Sequence, residues 1–519
     1  MPPRTSLAKS SLAVGVATAL SRILGFVRDV LIAAMLGAGP AADAFLVAFR
    51  LPGIVRRVLG EGGLNAALVP VDQRIRAEEG DEAARRFAGE ALVTMALALL
   101  VIVALAEVFA PALVLLVARG YAEDSVRFGL ATAYLRLTLP LVAATTLTAL
   151  AGAVLNAAGR FLAAAFAPVA VNVVLVGVLL ALQLSAMEDV RQGAILSVAV
   201  SAAGVAQLVV LLPALLSRDV RPLFAWPRLS PPVRRMFALG LPAVATVLAA
   251  QLAIIVATQV ASHTPASVSR LYYADRVFQL PLGFVSVGMG VVLLPEVARL
   301  LRSGALAAVH HAQNRAMEWS LLVALPASVA LVVLARPIVV VLFEHGAFTA
   351  EDAAETAAAL AALAPGLAAA AVTRVLAQPF FAREAALPPF MAAVVALLMT
   401  WVGATALDGP FGVRGIALGV TVGSFAGAAV LAGVLAGGDL WRTDARLRAR
   451  APRILLASLV MGAALWLAVP LAEGWLAAGR PVLPRAVALA ALCLGGLAVY
   501  AGAAFGLRAV TPADWRERG

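Results

Sequence analysis

Apolar residues run along this 519-residue chain in blocks of about 20 or more, separated by short charged or Pro/Gly-rich breaks. A block of that length crosses the hydrocarbon core of a bilayer as an α-helix. About fourteen spans are predicted, over 8–36, 41–70, 87–118, 126–156, 161–184, 191–217, 233–262, 267–300, 314–343, 352–382, 388–407, 413–436, 453–472 and 483–508. The first is too long for a cleaved leader, holds Arg22, Arg28 and Asp29, and lacks a small-residue cleavage site. Alternating ten-residue strands, the mark of an outer-membrane barrel, are missing. The fold expected is therefore an all-α polytopic membrane protein, because helices are the only open-chain way to satisfy the backbone in lipid.

Composition sharpens this. The chain is 62% hydrophobic and only 13% charged, against about 25% charged in soluble domains. Too little polar surface exists to cover a water-soluble globule, which excludes a soluble enzyme. The single cysteine, Cys493, excludes disulfides and thiolate metal sites. His263, His310, His311 and His345 fall at helix ends or in loops and read as solvated interfacial side chains. The net charge of +11 is mostly arginine. It reads as a topology signal and not as a nucleic-acid surface. Arginines cluster in alternate loops, for example Arg74, Arg76, Arg85 and Arg86, then Arg218 to Arg235, then Arg442 to Arg453. Positive-inside bias then puts both termini in the cytoplasm, in agreement with an even number of spans.

The chain also repeats itself at an offset near 225 residues. FAPALVLLVARGYAEDSVRFG (109–129) lines up with LARPIVVVLFEHGAFTAEDAAE (334–355), and Pro140 matches Pro365. FRLPGIVRRVLGEGGLNAALVPV (49–71) lines up with DRVFQLPLGFVSVGMGVVLLPEV (275–297). An even number of spans per period makes this a parallel repeat. The expected organisation is two six-helix lobes, 1–220 and 230–440, plus a C-terminal helix pair over 450–510. Such repeats place a substrate cavity between lobes that rock in alternating access.

Several charges lie where lipid should forbid them. The first span carries Arg22, Arg28 and Asp29; the second carries Asp43, Arg50, Arg56, Arg57 and Glu61; the eighth carries Arg270, Asp275 and Arg276. Each arginine at a bilayer centre costs about 2.5–3.5 kcal/mol even on the lenient insertion scale. They must therefore face a hydrated cavity or pair with acids. Asp43, Arg50 and Arg57 recur every seven residues and share a helix face, and Glu61 follows at i+4. Arg22 and Asp29 share a face likewise, and Gly25 allows a bend that turns Arg28 toward the same cavity. Arg50, Arg57 and Arg270 can equally snorkel or pair with neighbouring acids. A pocket rich in arginine forks suits a diphosphate. No G-x-x-x-x-G-K-[ST] loop occurs, so an ATPase drive is excluded and a gradient or potential is expected.

At these residues the chain resembles a known family. SRILGFVRDVLIAAMLGAGPAADAFLVAFRLPGIVRRVLGEGGLNAALVPV (21–71) and LYYADRVFQLPLGFVSVGMGVVLLPE (271–296) resemble the opening and the eighth helix of the MurJ/MviN lipid II flippases, in the multidrug/oligosaccharidyl-lipid/polysaccharide exporter superfamily. The resemblance implies a non-enzymatic flippase of a bacterial cytoplasmic membrane. Its substrate would be lipid II, undecaprenyl-diphosphate-MurNAc-pentapeptide-GlcNAc, carried from the inner to the outer leaflet for peptidoglycan synthesis. It implies no cofactor, membrane lipids as surroundings, and a monomer. Family cavity arginines map onto Arg22, Arg28, Arg56 and Arg276, with acids at Asp29 and Asp43 and a serine at Ser21. Some members bind sodium through an acid in helix seven and Asn/Asp in helix eleven; here Ala257, Thr400 and Ala404 stand instead, which argues against a metal site. The last two helices line a lipid-tail groove in relatives. The alternatives are a flippase for another polyprenyl-diphosphate glycan and a MATE-type multidrug/cation antiporter, which would need an anionic cavity.

Overall fold

The computed structural model describes residues 4–58, 64–185, 187–223, 226–288, 293–383, 385–438, 441–477 and 479–511, and among these the chain is helical with no strand. Glu61 lies outside the described residues. Nine of the described helical segments, counting 125–157 and 350–382 as one each, are long and apolar enough to cross a membrane. The chain divides into two compact units, residues 1–251 and 252–519.

The first unit contains α1 (Arg4–Leu36), α2 (Pro40–Arg56), α3 (Leu64–Glu78), α4 (Asp81–Val108), α5 (Ala110–Val117), α6 (Ser125–Thr138), α7 (Pro140–Ala157), α8 (Phe161–Gln183) and α9 (Asp189–Leu215), with the start of α10 (Pro231–Ala261). Local chemistry sets the breaks between helices, and those at Pro111 and Pro140 fall inside spans that hydropathy reads as continuous. Pro40, Pro111 and Pro140 occupy the first turns of α2, α5 and α7, where a missing N–H costs nothing. Asp124 caps α6 by accepting from the backbone N–H groups of Val126 and Arg127. α1 runs unbroken through Gly25. It lies on α8, α2 lies on α6, and α3 and α4 lie on α7. Leu68, Phe87, Leu99, Leu150 and Val154 form the buried core of the last group.

After α9 the chain straps back along α4. The Leu223 N–H donates to the Arg85 carbonyl at 3.0 Å, and Arg85 Nε donates to the Arg221 carbonyl at 2.8 Å. Gly89 is required there, since a Cβ would lie 1.8 Å from the Leu223 carbonyl oxygen. Arg228 then closes on the buried Glu90 carboxylate at 2.6 Å.

The second unit continues with α11 (Ser267–Gly288), α12 (Leu294–Arg302), α13 (Leu306–Val333), α14 (Ala335–Phe343), α15 (Ala350–Leu363), α16 (Gly366–Ala382), α17 (Leu387–Gly437), α18 (Ala445–Leu476) and α19 (Val482–Gly506). Element order recurs: α11 lies on α15 as α2 does on α6, and α12 on α16 as α3 does on α7. α17 joins two helices across Gly412, whose φ of 54° only glycine adopts without strain. Its two halves run back against each other along Gly415, Gly419, Gly423 and Gly427, where an added Cβ would meet the facing half at 1.9, 2.3, 2.1 and 3.1 Å. α18 and α19 lie on each other and on α13, over Leu322, Met461 and Leu465.

Candidate functional site

A polar network that joins several of the expected residues sits in the second half of α1. Arg28 donates through Nε and Nη2 to Asp29 Oδ1, at 2.9 and 2.7 Å. Its Nη1 donates to Asn172 Oδ1 of α8 at 3.2 Å, and its guanidinium stands 5.0 Å above the Phe49 ring of α2. Asn172 in turn donates to the Ser21 carbonyl at 3.0 Å, the Ser21 hydroxyl at 3.3 Å and the Pro168 carbonyl at 3.3 Å. One amide therefore ties Ser21 and Arg28, seven residues apart on one face of α1, to a single point on α8. Asp29 is fully buried, and Arg28 is 11% exposed.

A guanidinium has five N–H donors. Three of those on Arg28 are engaged, and among the described residues two remain. Those two, on a planar fork held from three sides, match two oxygens of a phosphate. Arg22 is exposed on the same helix, with no ion pair among the described residues.

The other expected residues of this unit stand elsewhere. Asp43, fully buried at the start of α2, faces Arg127 of α6 at 3.7 Å. Arg56 is exposed at the far end of α2. Thirteen residues separate the two, about 20 Å along a helix axis, so the Asp43 carboxylate is out of reach of the Arg56 guanidinium. Phe49, over Arg28, lies about midway. Arg50 is buried on α2, 7% exposed.

In the second unit Arg276 is half-buried on α11, beside Asp275, which accepts from Gln279 at 2.5 Å. Arg270 pairs with Asp352 at 2.8 Å and Glu351 at 3.4 Å, so pairing with acids accounts for it. Ala257, Thr400 and Ala404 are buried; the two methyls offer no oxygen, and the Thr400 hydroxyl abuts Gly423. Among the described residues no group of three or more His, Cys, Asp or Glu could share a metal ion. Arg485 lies in the first turn of α19, 2% exposed, donating to the Val340 carbonyl of α14. A groove of about 800 Å³ opens between α18 and α19, walled by Leu465, Leu471, Trp475, Leu483, Val487 and Val499.

Sequence reasoning missed Asn172 and Arg127. Each left a signal: an amide within FLAAAFAPVAVNVVLVGVLLALQ and a cation at the start of an apolar span both carry a cost that burial in lipid does not allow without a partner.

A family model described as "Lipid II flippase MurJ" matches residues 32–479. A "Probable lipid II flippase MurJ" of Rhizobium meliloti (strain 1021) is 37% identical over 503 residues, covering 97% of this chain and 94% of the relative. The "Lipid II flippase MurJ" of Burkholderia cenocepacia is 31% identical over 428 residues, covering 81% and 82%. Among solved structures, "Lipid II flippase MurJ, inward closed conformation" matches with a TM-score of 0.77 at 23% identity, covering 95% of this chain and 98% of that one. An inward-facing MATE transporter matches at 0.67 with 16% identity, covering 81% and 95%. These two likenesses are likenesses of fold.

Proposed function

The chain belongs to the lipid II flippase MurJ family, and on that premise we propose that Arg28, poised by Asp29, Asn172 and Phe49, grips the diphosphate of lipid II while the protein carries it from the inner to the outer leaflet. The protein is a transporter and not an enzyme. Arg22, Arg56 and Arg276 complete the anion-binding set along the substrate's path, with Ser21 beside Arg28. Asp29 holds the guanidinium between substrates, and the incoming diphosphate competes with it. The apolar groove of α18 and α19 takes part of the undecaprenyl tail. Both termini lie in the cytoplasm of a bacterial cell. The working unit is a monomer of two lobes, 1–220 and 230–440, followed by the helix pair of 450–510, which move in alternating access.

The observation that carries this reading is the pair of N–H donors left on Arg28. A cation antiporter needs the opposite polarity at that point. The reading is tested by depleting the protein in cells and measuring how much lipid II reaches the outer leaflet. Arrest of lipid II on the inner face, reversed by the wild-type chain but not by Arg28→Ala, is the expected result. Normal lipid II arrival with accumulation of another polyprenyl-linked glycan inside would overturn it.

A further inference from the structure

The two units carry one ion pair each at the same place in the repeat, with the charges exchanged. In the first unit the acid is Asp43, fourth residue of α2, and the base is Arg127, third residue of α6. In the second the base is Arg270, fourth residue of α11, and the acid is Asp352, third residue of α15. α2 lies on α6 and α11 on α15, so matching helix starts are joined in both. Both first-unit side chains are buried, at 4% and 0% exposure, and both second-unit ones are nearly so, at 15% and 10%.

The third residue is preset by its own helix cap each time. Arg127 Nε donates to the Asp124 cap at 2.6 Å and stands 4.8 Å above the Tyr121 ring. Hydrogen bonds from the Arg127 backbone and then its side chain hold the Asp124 carboxyl below its ordinary range. Asp352 Oδ2 accepts from the Thr349 hydroxyl at 2.8 Å and its N–H at 3.1 Å, in a capping box. The cap fixes a charge, and the charge fixes the neighbouring helix.

We infer that Asp43–Arg127 and Arg270–Asp352 are equivalent clamps, and that Asp43 is a positioning residue: it acts through Arg127 to hold α2, and its carboxylate does not meet the substrate. α2 carries Phe49, which covers Arg28, so the clamp acts on the anion site from a distance. The polarity is free to reverse between units because a clamp needs attraction only, whereas a group that reads the substrate needs its own sign. This role stands whether the cargo is lipid II or another anionic lipid, since it rests on the two helix pairs.

A double-mutant cycle tests it. Asp43→Asn and Arg127→Gln should each slow flipping by about tenfold, and the double variant by about tenfold rather than a hundredfold, as for partners in one interaction. Copying the second unit's clamp into the first, by Asp43→Arg, Arg127→Asp and Asp124→Thr together, should restore flipping to within about threefold of wild type and return the melting temperature of the purified protein. Lipid II binding to immobilised protein, read in parallel, separates the outcomes. Additive losses in the cycle, or a transplanted clamp that melts normally yet neither binds nor flips lipid II, would show that Asp43 serves the substrate directly. If the transplant does not fold, the cycle alone decides. Full activity of both single variants would also overturn the clamp.

Discussion

Asn172→Leu isolates what the amide of α8 does for Arg28. Leucine fills the same volume on an apolar helix, so the change removes polar groups without opening a cavity. Arg28 Nη1 loses its 3.2 Å acceptor, and the Ser21 carbonyl loses its 3.0 Å donor. A hydrogen bond to a charged group contributes about 1.5–3 kcal/mol. Arg28 is 11% exposed, so water replaces part of it, which puts the loss near the lower end. At about 1.4 kcal/mol per tenfold, lipid II should bind roughly ten times more weakly. Asn172→Asp keeps the acceptor but adds a second carboxylate to the guanidinium, and should weaken binding further while leaving the chain folded. Binding is measured by titrating lipid II onto purified protein in lipid nanodiscs, with melting temperature read on the same samples. Binding of Asn172→Leu within twofold of wild type, at an unchanged melting temperature, would refute the idea that Asn172 positions Arg28.

Arg28→Ala should abolish complementation of a depleted strain while leaving membrane insertion intact, and Arg28→Lys should rescue only partly, because a point charge lacks the two-pronged fork; immunoblots of membrane fractions beside growth curves check both. Replacing sodium by choline at fixed membrane potential should leave flipping unchanged, since Ala257 and Ala404 supply no oxygen and Thr400 is wedged against Gly423; strict sodium dependence would contradict this. An inside-negative potential favours outward movement of the anionic headgroup by about 2.3 kcal/mol per elementary charge per 100 mV. Clamping the potential near zero in vesicles, with the pH gradient and substrate pool unchanged, should therefore stop net flipping.

Sequence made the helical class and the unusual arginines legible, because intramembrane charge stands out against an apolar background whatever the fold. It did not show which charges were partners. Asp43, Arg50 and Arg57 share a helix face by spacing, yet Asp43 is joined to Arg127, a residue 84 positions away that reads as the polar start of another span. The Arg270–Asp352 pair escaped for the same reason. Comparing the two halves residue by residue hid their kinship further, since an exchange of sign registers as a mismatch. Hydropathy also ran through the breaks before α5 and α7, where the apolar run continues and only the proline marks the turn. Asn172 was legible in principle. One amide among apolar residues is an easily overlooked signal, although its desolvation outweighs that of any neighbour.

The glycine seam of α17 has a bearing on how this sequence is able to drift. Any amino-acid replacement of glycine adds a side chain, so Gly415, Gly419, Gly423 and Gly427 have no smaller or equal residue to exchange with. Lipid supplies no hydrophobic force to push the two halves back together once a side chain has parted them. A map of tolerance along 409–437 should therefore show one minimum at Gly412, set by its φ of 54°, and then oscillate with a period of four, with minima at those four positions. Gly409, Gly433 and Gly437, beside which an added Cβ would meet nothing, should vary freely. Drift in this hairpin is thus confined to its lipid-facing side, while the seam stays frozen by geometry alone.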